Sequence, residues 1–97
     1  RTKEQERQYG VQLMGILAKF GEMKELDPAD KAVREQVKKL QDFITKHYYT
    51  CSDAVLSGLG QLYAAGGSMT ENIDNAGGSG TAEYAARAIE AYCGSGK

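Results

Sequence analysis

The 97-residue chain has no tryptophan, one proline, one histidine and two cysteines. Each scarcity excludes something. Two cysteines make no disulfide framework; they are two free thiols or a single bridge, and a helical chain of this length does not need staples. No Cys-x-x-Cys or His-x-x-x-His spacing occurs, and zinc would have to be assembled from His47, Cys51, Cys93 and Asp74, which share no ligand pattern. No metal or other cofactor is expected. Net charge is −1, with acids and bases interspersed, so the basic face that duplex DNA requires is missing. The longest apolar run covers only a few residues, too short to span a bilayer. The start, Arg1-Thr-Lys-Glu-Gln-Glu-Arg7, has no apolar signal-peptide core. A cytoplasmic setting with both thiols free is expected. No run alternates with period two and no internal repeat occurs, which removes β-sheet and solenoid classes.

What remains is helical periodicity. Thr2-Lys-Glu-Gln5 has the form of a capping box. Behind it Tyr9, Leu13, Ile16, Leu17, Phe20 and Met23 recur at helical spacing, predicting a first helix over 3–24. Gly10, Gly15 and Gly21 weaken it by about 1 kcal/mol each relative to alanine, which calls for close helix approach or deliberate looseness. Leu26-Asp27-Pro28-Ala-Asp30 stops the chain and restarts it, with Asp27 as cap and Pro28 at the first helical position. The second helix then turns Val33, Val37, Leu40, Phe43, Ile44 and Tyr48 inward, and a short turn implies antiparallel packing on the first. Ser52 or Asp53 caps a third, carrying Val55, Leu56, Leu59, Leu62 and Tyr63 and ended by Gly66-Gly67. Residues 70–74 offer one or two turns started by Thr70. A loop over 75–80 leads to a last helix reaching about Cys93, capped by Ser79 or Thr81, with Tyr84, Ala85, Ala88, Ile89 and Tyr92 inward. The reading is an all-α domain over residues 1–93, four main helices plus one short helix, with a flexible tail over 94–97.

Residues 45–75 concentrate the chemistry. They hold His47, Cys51 and three of six tyrosines, at the irregular junction between the second and third helices. Apolar rings with polar tips at such a junction are what lines a ligand pocket. The plain readings are core packing for Tyr48, Tyr84 and Tyr92, a half-exposed C-terminal histidine for His47 and a small buried hydrophobe for Cys51. A helix N-terminus lowers a thiol's pKa, and His47 lies one turn upstream, so a Cys/His enzyme stands as a minor alternative. Gly77-Gly-Ser-Gly-Thr81 lacks the lysine and the preceding strand of a phosphate-binding loop. A haem globin is a weaker idea still.

Four segments carry a family resemblance: Lys46-His-Tyr-Tyr-Thr-Cys51, Leu59-Gly-Gln-Leu-Tyr63, Met69-Thr-Glu-Asn-Ile-Asp74 and Gly80-Thr-Ala-Glu-Tyr-Ala-Ala-Arg-Ala-Ile89. In this order and spacing the chain, from Thr2 to about Ile89, resembles the TipAS antibiotic-recognition domains found at the C-termini of MerR-type transcriptional activators. The resemblance implies a globin-like all-α fold without haem and a cleft for thiopeptides or other multidrug ligands. It implies that ligand binding is passed to a missing N-terminal winged-helix domain, which would contact DNA in a full-length homodimer. It also implies an N-terminal lid, most of which precedes this chain. In the family a cysteine just before the Leu-Gly-x-x-Tyr element can trap thiopeptides covalently. That position is Gly58 here, so capture there is excluded and reversible binding is expected. The expected pocket has Tyr49, Cys51, Val55 and Leu59 as floor and Tyr63 with residues 70–75 as wall, while His47, Asp74 and Asn75 orient the guest. The leading reading is a sensor domain and not an enzyme. The alternative is a stand-alone protein that sequesters antibiotic.

Overall fold

Thr2 opens the first helix as its sequence pattern requires. Its hydroxyl accepts from the Gln5 amide, and its own amide donates to the Gln5 side chain, each at 3.2 Å. The computed structural model describes residues 2–94. Helix α1 (Lys3–Lys19) tightens at its end into a 3-10 turn, Phe20–Met23. Four further helices follow: α2 (Lys31–His47), α3 (Asp53–Tyr63), α4 (Ser68–Gly77) and α5 (Thr81–Gly94). No strand occurs among the described residues. The fold is all-α.

The restart before α2 falls three residues later than expected. Asp27 is consumed by its own turn, its carboxylate accepting from the Ala29 amide and its carbonyl from the Asp30 amide, both at 2.8 Å. Asp30 is then the cap, accepting from the Ala32 amide at 2.9 Å. Ser52 caps α3 through the Val55 amide. The short fourth element is longer than its sequence implied. It is a ten-residue helix begun by Gly67 and not by Thr70, and the expected loop over 75–80 shrinks to residues 78–80. Gly78 and Gly80 make that turn at φ 103° and 88°, in the left-handed region that glycine alone enters freely. Gly94 belongs to α5 and not to a tail, and residues 95–97 lie outside the described part.

Asp74 is the long-range surprise of this turn. Its carboxylate accepts from the Ala82 amide at 2.9 Å, so a residue of α4 caps the start of α5. Thr81, fully buried, donates instead to the Gly78 carbonyl. Replacing Asp74 by alanine is expected to cost about 1 kcal/mol, which in a domain of this size lowers Tm by roughly 4–8 °C. A thermal melt showing no change would mean that the cap contributes nothing.

The core is one cluster drawn from every helix. Leu17 and Phe20, then Val33, Val37, Leu40 and Ile44, then Leu56 and Tyr63, then Ile73, and finally Ala85, Ala88 and Ile89 are buried. Gln36, also buried, donates to the Ile16 carbonyl at 3.0 Å and so ties α2 to α1. Two glycines mark where backbones meet. A Cβ on Gly60 would press on Ile89 of α5, and one on Gly21 would run into the Gly77 carbonyl of α4. Gly10 and Gly15 face open space. Of the three glycines in the first helical stretch, only Gly21 serves close approach.

Candidate functional site

The junction between α2 and α3 is held by an unusual number of side-chain bonds. The Tyr48 and Tyr49 amides both donate to the Ile44 carbonyl, at 2.8 and 3.1 Å, as the chain leaves α2. The Cys51 amide donates to the Thr45 hydroxyl at 3.1 Å. Gln41 Nε2 donates to the Cys51 carbonyl at 2.8 Å and to the Asp53 carboxylate at 3.0 Å, while Gln41 Oε1 accepts from the Tyr92 hydroxyl at 3.2 Å. Helices α2, α3 and α5 are thereby clamped around residues 51–53. A second junction, between α3 and α4, closes on Thr70. Its hydroxyl donates to the Tyr63 carbonyl at 2.5 Å and accepts from the Gly66 amide at 2.9 Å. Thr70 therefore secures the end of α3 where it had been expected to start a helix.

Between these junctions lies a hollow of about 190 Å³, lined by Leu13 of α1, Ile44 of α2, Tyr48, Tyr49, Leu59, Leu62 and Tyr63, and Met69 of α4. Tyr49 and Leu62 are each about half exposed, at 52% and 53%, and form its rim. Tyr63, at 3%, lies deep. None of the eight carries a charge. Apolar walls tipped by a few phenol hydroxyls are the usual make-up of a ligand pocket.

The expected site residues divide. Tyr49, Leu59 and Tyr63 come together in this lining. Tyr48, assigned to the core from its spacing, instead stands 38% exposed at the hollow. The reason is that α2 ends at His47, so helical phase no longer governs residue 48. Leu13, Ile44, Leu62 and Met69 also line the hollow. Leu13, Ile44 and Leu62 were legible as apolar helix positions, Met69 was not because the short helix was expected to start at Thr70, and for none of the four was it legible that it faces a space. Cys51 is buried behind the wall, its thiol directed at the Ser52 carbonyl at 3.9 Å. Val55 is 39% exposed on α3 and outside the lining. Asp74 is engaged as the α5 cap, and Asn75 is exposed on α4. His47 belongs to another surface. Its ring stacks on Tyr9 with centroids 4.3 Å apart and meets Phe43 at 4.6 Å. There it borders a groove of about 410 Å³ between α1 and α2, whose sides include Lys39, Asp42 and Lys46.

Residues 1–92 match the family model of the TipAS antibiotic-recognition domain. The chain belongs to the TipAS family. No curated protein and no solved structure matches the chain. As a TipAS domain it is an antibiotic-recognition, ligand-binding unit, and three of its six tyrosines, Tyr48, Tyr49 and Tyr63, line the hollow at its two junctions. Among the described residues of this TipAS domain, no group of three or more His, Cys, Asp or Glu is placed to hold a metal ion, and no helix is long and apolar enough to cross a membrane.

The titrating groups of the TipAS domain bear on its chemistry. Burial, with a smaller contribution from Asp53, pushes the Cys51 thiol above its ordinary value. The direction is opposite to the lowering that its place near a helix N-terminus had suggested, because burial desolvates the thiolate and the Asp53 carboxylate repels it. Burial also pushes the Tyr63 phenol from 10.0 up to about 12, with Tyr49, Cys51 and Tyr48 adding to the shift. A group whose folded pKa is raised stabilises the fold below its unfolded pKa, and that stability is lost as pH rises through the folded value. Tyr63 thus contributes fully below pH 10 and ceases to do so by about pH 12. The expected result is a steeper fall in the urea midpoint of wild type than of Tyr63→Phe across this interval. Parallel curves would show that the Tyr63 phenol titrates normally.

Proposed function

We propose that this TipAS domain binds thiopeptide-type antibiotics, or other multidrug ligands, reversibly at the hollow bounded by Tyr48, Tyr49, Leu59, Tyr63 and Met69. In this reading it is the effector-sensing part of a MerR-family transcriptional activator. The antibiotic would be its partner, and DNA would be contacted through a separate winged-helix domain of a homodimeric full-length protein. The observation that carries the reading is the open apolar space at the α2–α3 and α3–α4 junctions, inside a chain of an antibiotic-recognition family.

Binding without catalysis is the companion proposal. A raised thiol pKa leaves Cys51 almost wholly protonated at neutral pH, unlike an activated nucleophile. His47 stacks on Tyr9 and meets a tilted Phe43 ring. Reversible capture is supported by Gly58 standing where the family's trapping cysteine would be.

Titration with a thiopeptide, followed by amide shifts, tests the binding site. Saturating shifts within residues 45–80 are the expected result, and silence there at full ligand would defeat it. Iodoacetamide labelling against pH tests the companion proposal. Cys51 is expected to react slowly and with an alkaline midpoint, whereas rapid labelling near neutrality would restore the enzyme reading.

A further inference from the structure

The hollow has a size and a lack of charge that together specify what enters it. Water held against apolar walls finds few of the two to four polar partners it needs, so an apolar guest displaces it readily. The hollow here is about 190 Å³, and its lining is aliphatic, thioether and phenolic. It offers water only the hydroxyls of Tyr48, Tyr49 and Tyr63. Its capacity is one aromatic ring or two fused rings, far short of a macrocycle. An ion would enter at a loss, since no lining residue can neutralise it and desolvating an unpaired charge is costly.

We infer that the hollow is a specific seat for one uncharged, planar aromatic group of one or two fused rings, inserted between Leu13, Leu59 and Met69 while the rest of any larger ligand stays outside on the Tyr49–Leu62 rim. This rests on the proposed binding site and adds the chemical class of the group that enters it. Leu13 and Met69 bring α1 and α4 to the guest, and Leu59 with Tyr63 brings α3. Aromatic contacts with the tyrosines favour a flat guest over an aliphatic one of the same volume, and the thioether of Met69 adapts to its edge.

The test uses three probes of one shape and different charge: indole, tryptamine (a cation at pH 7) and indole-3-acetate (an anion). Binding is read from methyl shifts of Leu13, Ile44, Leu59, Leu62 and Met69. Indole is expected to saturate these methyls, with both ions at least tenfold weaker. Leu62→Asp, a rim substitution at a half-exposed position, is expected to reverse the order and favour tryptamine. Equal or tighter binding of either ion to wild type overturns the inference, as does an indole response confined to Ile16 in the α1–α2 groove. A shift of the same methyls with protein concentration alone would show a second copy filling the space and would also overturn it. If indole is silent while a thiopeptide moves these methyls, the inference fails and the binding site stands. If both are silent, both fail.

Discussion

Gly21→Ala is expected to cost about 3 kcal/mol or more, although alanine is the better helix former by roughly 1 kcal/mol. The reason is geometric. A Cβ at this position would collide with the Gly77 carbonyl and approach the Thr81 hydroxyl to 2.9 Å. A side chain can rotate out of such a clash, but a backbone carbonyl moves only if α4 moves. A Cβ on Gly77 would likewise come within 2.9 Å of the Ala18 carbonyl, so neither backbone has room for a side chain where α1 and α4 meet. Displacing α4 would also disturb Ile73 in the core and the Asp74 cap on α5. A loss of about 3 kcal/mol corresponds to a Tm fall of roughly 12–24 °C for a domain of this size. Gly10→Ala and Gly15→Ala are the controls. Open space surrounds both positions, so each is expected to gain up to about 1 kcal/mol from propensity. If all three variants move Tm in the same direction, close approach is not what Gly21 provides.

Phe20→Ala is expected to be at least as damaging, at about 3–5 kcal/mol. Phe20 is fully buried at the head of the 3-10 turn, and its ring meets Tyr84 of α5 at 6.5 Å between centroids. Its removal leaves a void where α1, α2 and α5 converge, and the Tyr84 hydroxyl, bonded to the Leu26 carbonyl at 2.7 Å, holds that wall in place against collapse. Stabilities of small domains are only about 5–15 kcal/mol in total, so the variant should be partly unfolded at 37 °C. Urea denaturation checks this. An unfolding free energy within about 1 kcal/mol of wild type would mean that the core closes over the loss.

The helices were readable because their signals are local. A capping box at Thr2, a cap at Ser52 and apolar stripes on α2 and α5 act within one or two turns. They survive without knowledge of any neighbour. The misplacements have one physical source, which is competition from a partner that sequence does not reveal. Asp27 could cap a helix, but its own tight turn claims it. Thr70 could start one, but the free carbonyl of Tyr63 claims its hydroxyl. Asp74 could orient a ligand, but the amide of Ala82 claims its carboxylate. Family resemblance supplied the identity, and of the residues it proposed for a pocket, Tyr49, Leu59 and Tyr63 share the lining of one hollow.

By itself the sequence determined the all-α class, the approximate helix spans and the membership in an antibiotic-recognition family. Only the tertiary structure decided which apolar side chains interlock and which border a space. Periodicity reports that a residue leaves water, whereas a cavity depends on how four helices from distant parts of the chain fail to meet. That is why Leu13 and Met69, 56 positions apart, share one wall that no local pattern could announce.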